Sequence, residues 1–119
     1  MACLLAGTLA SVAGRPGLAS SDAPVKRFEI TAARFRFEPA EIEVQAGDVV
    51  ELVLRSADTD HGVAIKALGV KAAIPKSGAA VTVSFVAARP GRFKFECSEY
   101  CGSGHKRMKG ELVVTEATR

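Results

Sequence analysis

The sequence predicts an all-β fold, a sandwich or barrel of about six to eight short strands. Three observations predict it. Apolar and polar residues alternate with period two over most of the chain beyond Val25. Turn-forming residues recur at intervals of about ten residues, as strand-and-turn architectures require. Beyond the amino-terminal segment, only Ile65 to Ala73 leaves room for a short helix or an irregular excursion.

The elements can be justified in order. Ile42 and Val44 alternate with Glu41, Glu43 and Gln45, a strand with one buried face. Ala46-Gly47-Asp48 then turns the chain into Val49-Val50-Glu51-Leu52-Val53-Leu54, which reads as a more deeply buried strand. Val81, Val83 and Phe85 alternate with Thr82 and Ser84. Arg89-Pro90-Gly91 is a turn, with proline fixing φ and glycine free to take positive φ. In the next strand Phe93, Phe95 and Cys97 share one face, while Arg92, Lys94 and Glu96 share the other. Glu111 to Thr115 is the last strand. No internal repeat or low-complexity tract interrupts this pattern.

Length and charge exclude much else. A chain of 119 residues suits one domain and is too short for a (β/α)8 barrel. The formal charge of +3 comes from 16 Lys+Arg against 13 Asp+Glu, too near balance for the basic signature of a nucleic-acid binder. No apolar run reaches the roughly 20 residues of a spanning helix.

Residues 1–24 read as a signal peptide or leader and linker, and residues 25–119 as the folded domain. Ala2 to Ala13 are small or apolar apart from Thr8 and Ser11, and the small residues around Ala19 suit a cleavage site. No Lys or Arg precedes the apolar run, so either the true start lies upstream or the segment is a residual anchor; Gly7, Gly14 and Pro16 speak against a core helix. An apolar run follows Cys3 where a lipidated cysteine would need a polar stretch. Cleavage would leave Cys97 and Cys101 as the two thiols of an exported, periplasmic or otherwise extracytoplasmic protein. In an oxidising compartment such a pair becomes a disulfide or is held by metal.

The chemistry concentrates in Cys97-Ser98-Glu99-Tyr100-Cys101-Gly102-Ser103-Gly104-His105-Lys106-Arg107-Met108. Thiols with imidazole favour copper or zinc, and a thioether points to copper. Three plainer readings stand beside this one. The donors could line one helical face, against which Gly102 and Gly104 argue at about 1 kcal/mol each. Cys97 and Cys101 could form a disulfide, which the spacing alone permits. Zinc could occupy the site, leaving Met108 without a role. His61, the other histidine, follows Asp58-Thr59-Asp60 at the start of a strand, and converging loops at one end of a sandwich would let it reach the Cys97–Met108 loop.

On these residues the chain resembles the cupredoxin family, and within it the CuA domain of cytochrome c oxidase subunit II. Phe35-Arg36-Phe37-Glu38-Pro39 through Ile42, Val44, Gly47-Asp48 and Val50 is similar to the family's early strands, and Asp58 to Ile65 to the segment bearing its first copper histidine. The ligand-bearing positions of the Cys97–Met108 loop match throughout; Cys97, four residues ahead of Cys101, separates a dinuclear from a mononuclear blue-copper pattern.

The resemblance implies a cupredoxin-like Greek-key sandwich or barrel. Two copper ions would be bridged by Cys97 and Cys101, with one imidazole each from His61 and His105. Met108 and the backbone carbonyl of Glu99 would complete the set. The implied role is electron transfer from a donor such as cytochrome c to an oxidase catalytic subunit or another periplasmic acceptor, with membrane association only through partners or leader. No catalysis is expected of this chain alone. The matching carboxylate in subunit II helps to hold a magnesium ion at the junction with the catalytic subunit, so the Glu99 side chain hints at such a junction or is a solvated loop acid. The family often uses a tryptophan where electrons enter; this chain has none, and Tyr100 is the candidate replacement, with packing the plainer alternative. Lys106, Arg107 and Lys109 form a basic rim suited to an acidic or neutral partner, or simply a solvated face. The alternatives are a periplasmic copper carrier or chaperone, a mononuclear blue-copper carrier, and one part of an oxidase or nitrous oxide reductase whose catalytic centre lies on another chain.

Overall fold

Nine strands arranged in two sheets make up the domain in the computed structural model, which describes residues 24–117. The expected leader, with Cys3, lies outside the described residues except for Pro24, whose carbonyl accepts the Val49 amide at 2.9 Å. The strands are β1 (Val25–Ala33), β2 (Arg36–Glu38), β3 (Glu41–Gln45), β4 (Val49–Ser56), β5 (His61–Ile65), β6 (Val70–Ile74), β7 (Val81–Val86), β8 (Gly91–Glu96) and β9 (Lys109–Thr115). One sheet has the order β2-β1-β4-β7 and the other β3-β9-β8-β5-β6. The chain passes from one sheet to the other five times, and the β1·β4 and β3·β9 pairs are parallel.

The expected alternation is present. Ile42 and Val44 are buried on β3, and Phe93, Phe95 and Cys97 are buried on one face of β8 and its extension. Strand β4 is interior to its sheet, so Val50, Leu52, Val53 and Leu54 are all buried. Between the sheets Phe37 meets Phe95 edge to face, with ring centroids 5.2 Å apart. Register carries the same faces across the second sheet: Ile42 sits opposite Leu112, and Leu112 opposite Phe93.

The count of nine exceeds the six to eight expected, and the excess has two sources. Strand β2 has only three residues, too few to display a period. Residues Ile65 to Ala73, read as a possible helix or excursion, instead form most of the β5–β6 hairpin, with a single 3₁₀ turn at Lys66–Leu68 between the strands. Ala72 and Ala73 weakened the strand pattern there, since alanine has little strand preference.

This topology builds one particular end of the sandwich. Strands β5 and β8 run antiparallel, as do β8 and β9. The start of β5, the end of β8 and the start of β9 therefore lie together, bringing His61, Cys97 and Met108 to one place.

Candidate metal centre

Each donor is delivered by an element whose position is fixed. His61 is the first residue of β5 and is fully buried. Cys97 continues β8, and its amide donates to the Met108 carbonyl at 3.1 Å, which closes the base of the loop. Within the loop, Gly102 to Met108 fold into tight turns: the His105 amide donates to the Gly102 carbonyl at 3.1 Å and the Met108 amide to the His105 carbonyl at 3.2 Å. The loop is not a continuous helix, as its glycines predict, although His105–Arg107 forms one 3₁₀ turn.

The glycines have a second reason. The Phe35 ring, from the β1–β2 turn, lies directly against the loop. A Cβ on Gly102 would come within 2.9 Å of that ring, and one on Gly104 within 2.5 Å. Gly102 also has φ +136°, a conformation that residues with side chains rarely adopt. The Arg107 guanidinium covers Phe35, 6.0 Å from the ring centre.

The structure brings all the sequence-predicted donors together. Cys97 and Cys101 are buried and free, with their sulfurs 3.6 Å apart, well beyond bonding distance. His61 Nδ1 lies 3.9 Å from the Cys97 sulfur, and His105 Nδ1 3.8 Å from the Cys101 sulfur. Met108 Sδ is 3.8 Å from the Cys101 sulfur, and the Glu99 carbonyl accepts from the Cys97 thiol at 3.1 Å. The donor atoms of His61, Cys97 and Cys101 all lie within 4.8 Å of one another. Two ligands each about 2.0–2.3 Å from one metal at a tetrahedral angle stand about 3.3–3.8 Å apart, close to these spacings. The chemistry of the set, two sulfurs, two imidazoles and a thioether, fits a soft or borderline transition metal.

Electrostatics point the same way. Burial, and then the adjacent Cys97, push the Cys101 thiol up to about 11, while the nearby Arg34 guanidinium pulls weakly in the opposite direction. Cys101 is therefore a thiol at neutral pH unless a cation neutralises the pair, which a metal ion does. Burial also opposes ionisation of Asp58, but the Arg34 amide, the His61 ring and the Thr59 amide together hold its carboxyl down to about 2. Asp58 is a carboxylate, and His61 Nε2 donates to it at 2.7 Å. That bond assigns the tautomer and leaves the Nδ1 lone pair facing the sulfurs.

Two acids, Asp58 and Asp60, precede His61 in the chain. Only Asp58 bonds the ring; Asp60 instead accepts the Lys76 amide at 2.8 Å. An acid three residues before a strand-initiating histidine was the available signal. Arg34 and Phe35 were missed as site residues, and nothing local marks them, because Arg34 is 67 positions from Cys101. Tyr100 does not pack in the core: it is 76% exposed, and its ring lies 5.6 Å from that of His105. Lys106, Arg107 and Lys109 are exposed, as is Glu99. An open cleft of about 640 Å³ beside the loop reaches Cys97 and His105 between Lys66, Lys71 and Lys106.

A family model for the cupredoxin-like domain matches residues 1–114. Cytochrome c oxidase subunit 2 of Thermus thermophilus is 32% identical over 87 residues, covering 73% of this chain and 64% of that protein. The same subunit from a second Thermus thermophilus source is likewise 32% identical, with 51% of its length covered, so the chain spans less than two thirds of these relatives. Among solved structures, a chain of a heme-copper terminal oxidase dimer superposes with a TM-score of 0.66 at 31% identity, covering 75% of this chain and 64% of that one. The periplasmic domain of cytochrome oxidase subunit II (CoxB) from Bradyrhizobium japonicum shares the fold, with a TM-score of 0.68 at 24% identity over 76% of this chain and 84% of that one. Taken with the two-sheet architecture and the gathered sulfur and imidazole donors, these matches establish that the chain belongs to the cupredoxin-like domain family.

Proposed function

We propose that this domain is a copper-binding electron-transfer module with a dinuclear centre of the CuA type. One observation carries the reading: two unbonded thiols 3.6 Å apart, with an imidazole nitrogen beside each. Similarity to oxidase subunit 2 supports it. Cys97 and Cys101 would bridge the metals, His61 and His105 would each bind one, and Met108 and the Glu99 carbonyl would be the weak remaining ligands. Bound there, copper supplies reversible one-electron chemistry.

The chain's own residues account for the rest. Asp58 holds the His61 ring in its tautomer, and the loop turns hold His105 and Met108. Full burial of His61 and Met108 keeps water from one side of the site. A donor set held this firmly has little room to move, which keeps reorganisation small when an electron arrives or leaves. No donor position is left for a substrate.

His105 is the half-buried donor, and exposed Tyr100 beside it marks the edge where a redox partner would dock. The basic rim of Lys106, Arg107 and Lys109 suits an acidic or neutral carrier, which a cytochrome c could be, with an oxidase core or another extracytoplasmic protein as acceptor. Among the described residues no helix is long and apolar enough to cross a membrane. The reading places the domain in an exported compartment.

Copper stoichiometry and electron paramagnetic resonance test this. The expected result is two coppers per chain and hyperfine structure shared by both nuclei. One copper with a single-nucleus pattern would instead make it a mononuclear carrier. Two coppers lost at once to a competing chelator would make it a copper carrier rather than a relay.

A further inference from the structure

Resting on the reading that these donors hold metal, we propose that Arg34 is a positioning residue that fastens the two halves of the centre to each other. Its backbone amide donates to Asp58 Oδ2 at 2.8 Å, and Asp58 Oδ1 accepts from His61 Nε2 at 2.7 Å. Its side chain points the other way: Nε donates to the Cys101 carbonyl at 3.1 Å. One residue thus holds the histidine of β5, through a carboxylate, and the peptide of Cys101, directly. These donors come from segments far apart in the chain, His61 and Cys97 being 36 positions apart.

Arg34 has a firm base. It sits in the two-residue turn between β1 and β2, whose last paired rung is Ala33 with Arg36. The other turn residue, Phe35, is wedged against Gly102 and Gly104 and covered by Arg107. The turn forms a third wall of the site, contributed by the sheet that supplies no donor. Backbone donation to Asp58 survives any substitution except proline, whereas the bond to Cys101 belongs to the side chain. The two arms can therefore be separated by mutation.

The experiment uses the full chain with Arg34→Ala, Arg34→Lys and Asp58→Asn. In metal-free, reduced protein, iodoacetamide alkylation of Cys97 and Cys101 is followed by peptide mass spectrometry. This arm needs no copper. Losing a charge-assisted bond to the Cys101 carbonyl raises the alkylation rate about tenfold in Arg34→Ala, outweighing the smaller slowing that follows from removing the guanidinium's weak pull on the Cys101 thiol. In copper-loaded protein the same variant releases copper to a chelator about tenfold faster and shifts the hyperfine splitting. Arg34→Lys, which restores a cationic donor, recovers much of both. Arg34→Ala combined with Asp58→Asn does less than the product of the single effects, because both act on one linkage.

Wild-type alkylation and release rates in Arg34→Ala would overturn the proposal. So would a fall in the unfolding midpoint of metal-free Arg34→Ala large enough to explain the exposure by global opening, or full additivity with Asp58→Asn. If Arg34→Ala does not fold, Arg34→Gln replaces it under the same criteria. If wild-type protein binds no copper, the functional reading falls, and the alkylation arm still decides whether Arg34 locks the thiol pair.

Discussion

Replacing Gly104 by alanine isolates the contact between the loop and the β1–β2 turn. The added Cβ would lie 2.5 Å from Cγ and Cδ2 of Phe35 and 2.9 Å from Cδ1. Carbon atoms rest about 3.5–4.0 Å apart, so a gap of about 1 Å must open. The backbone itself raises no objection, since Gly104 has φ −93° and ψ 10°, which alanine accepts. Overpacking of this kind costs about 1–3 kcal/mol, and the stiffer unfolded chain returns about 0.4–1 kcal/mol. The net loss is about 1–2 kcal/mol, a fall of about 5–15 °C in Tm for a domain of this size. Urea and thermal unfolding of the reduced, metal-free protein measure it. The decisive comparison is the same substitution in a Phe35→Ala background, where the ring is gone and Gly104→Ala should be neutral or stabilising. An equal loss in both backgrounds would refute the contact.

Three further outcomes are expected. Cys97→Ser should cut bound copper from two to at most one per chain and remove hyperfine structure shared by two nuclei, while burying the hydroxyl costs about 1–3 kcal/mol, so stoichiometry is read on folded protein only. Asp48 is 3% exposed; burial favours its neutral form, but the Gln45 amide at 2.8 Å and Lys26 at 2.9 Å outweigh this and hold its carboxyl below the usual range. Because the folded value is depressed, this stabilisation is complete above the unfolded value of about 4 and fades as pH falls below it. Unfolding free energies from urea titration should therefore separate wild type from Asp48→Asn at pH 7, by about 1.5–3 kcal/mol, and converge in acid, whereas a gap independent of pH would contradict the assignment. Association with an acidic-faced redox carrier should slow as salt is raised, since exposed Lys106, Arg107 and Lys109 border the loop; stopped-flow rates that do not change with ionic strength would remove the electrostatic contribution.

Most of the fold was legible because period-two burial is a local signal. Ile42 and Val44, or Phe93, Phe95 and Cys97, announce their faces within a few residues. What escaped was either too short, as in Arg36–Glu38, or too rich in alanine, as in Val70–Ile74. The donor residues were legible because five of the six sites lie within one loop, and because sandwich topology brings the start of a distant strand to the same end. The support around them was not. Asp58 could be suspected from its place three residues before His61, but Arg34 and Phe35 meet the loop only after the sheets have closed. Their role depends on a turn from the opposite sheet, which no window of sequence contains.

The bond from the Cys97 amide to the Met108 carbonyl has a consequence for how this scaffold can change. It adds one more rung above Glu96 paired with Lys109, so the intervening stretch hangs from a fastened stem. A change of length between those anchors adds only a modest closure entropy at the stem, but the new stretch has to meet the Phe35 ring and the Arg34 side chain as the present loop does. The frame contributes His61 and the Arg34–Phe35 wall while the loop contributes the remaining candidate donors, so any exchanged loop inherits part of its site from the frame.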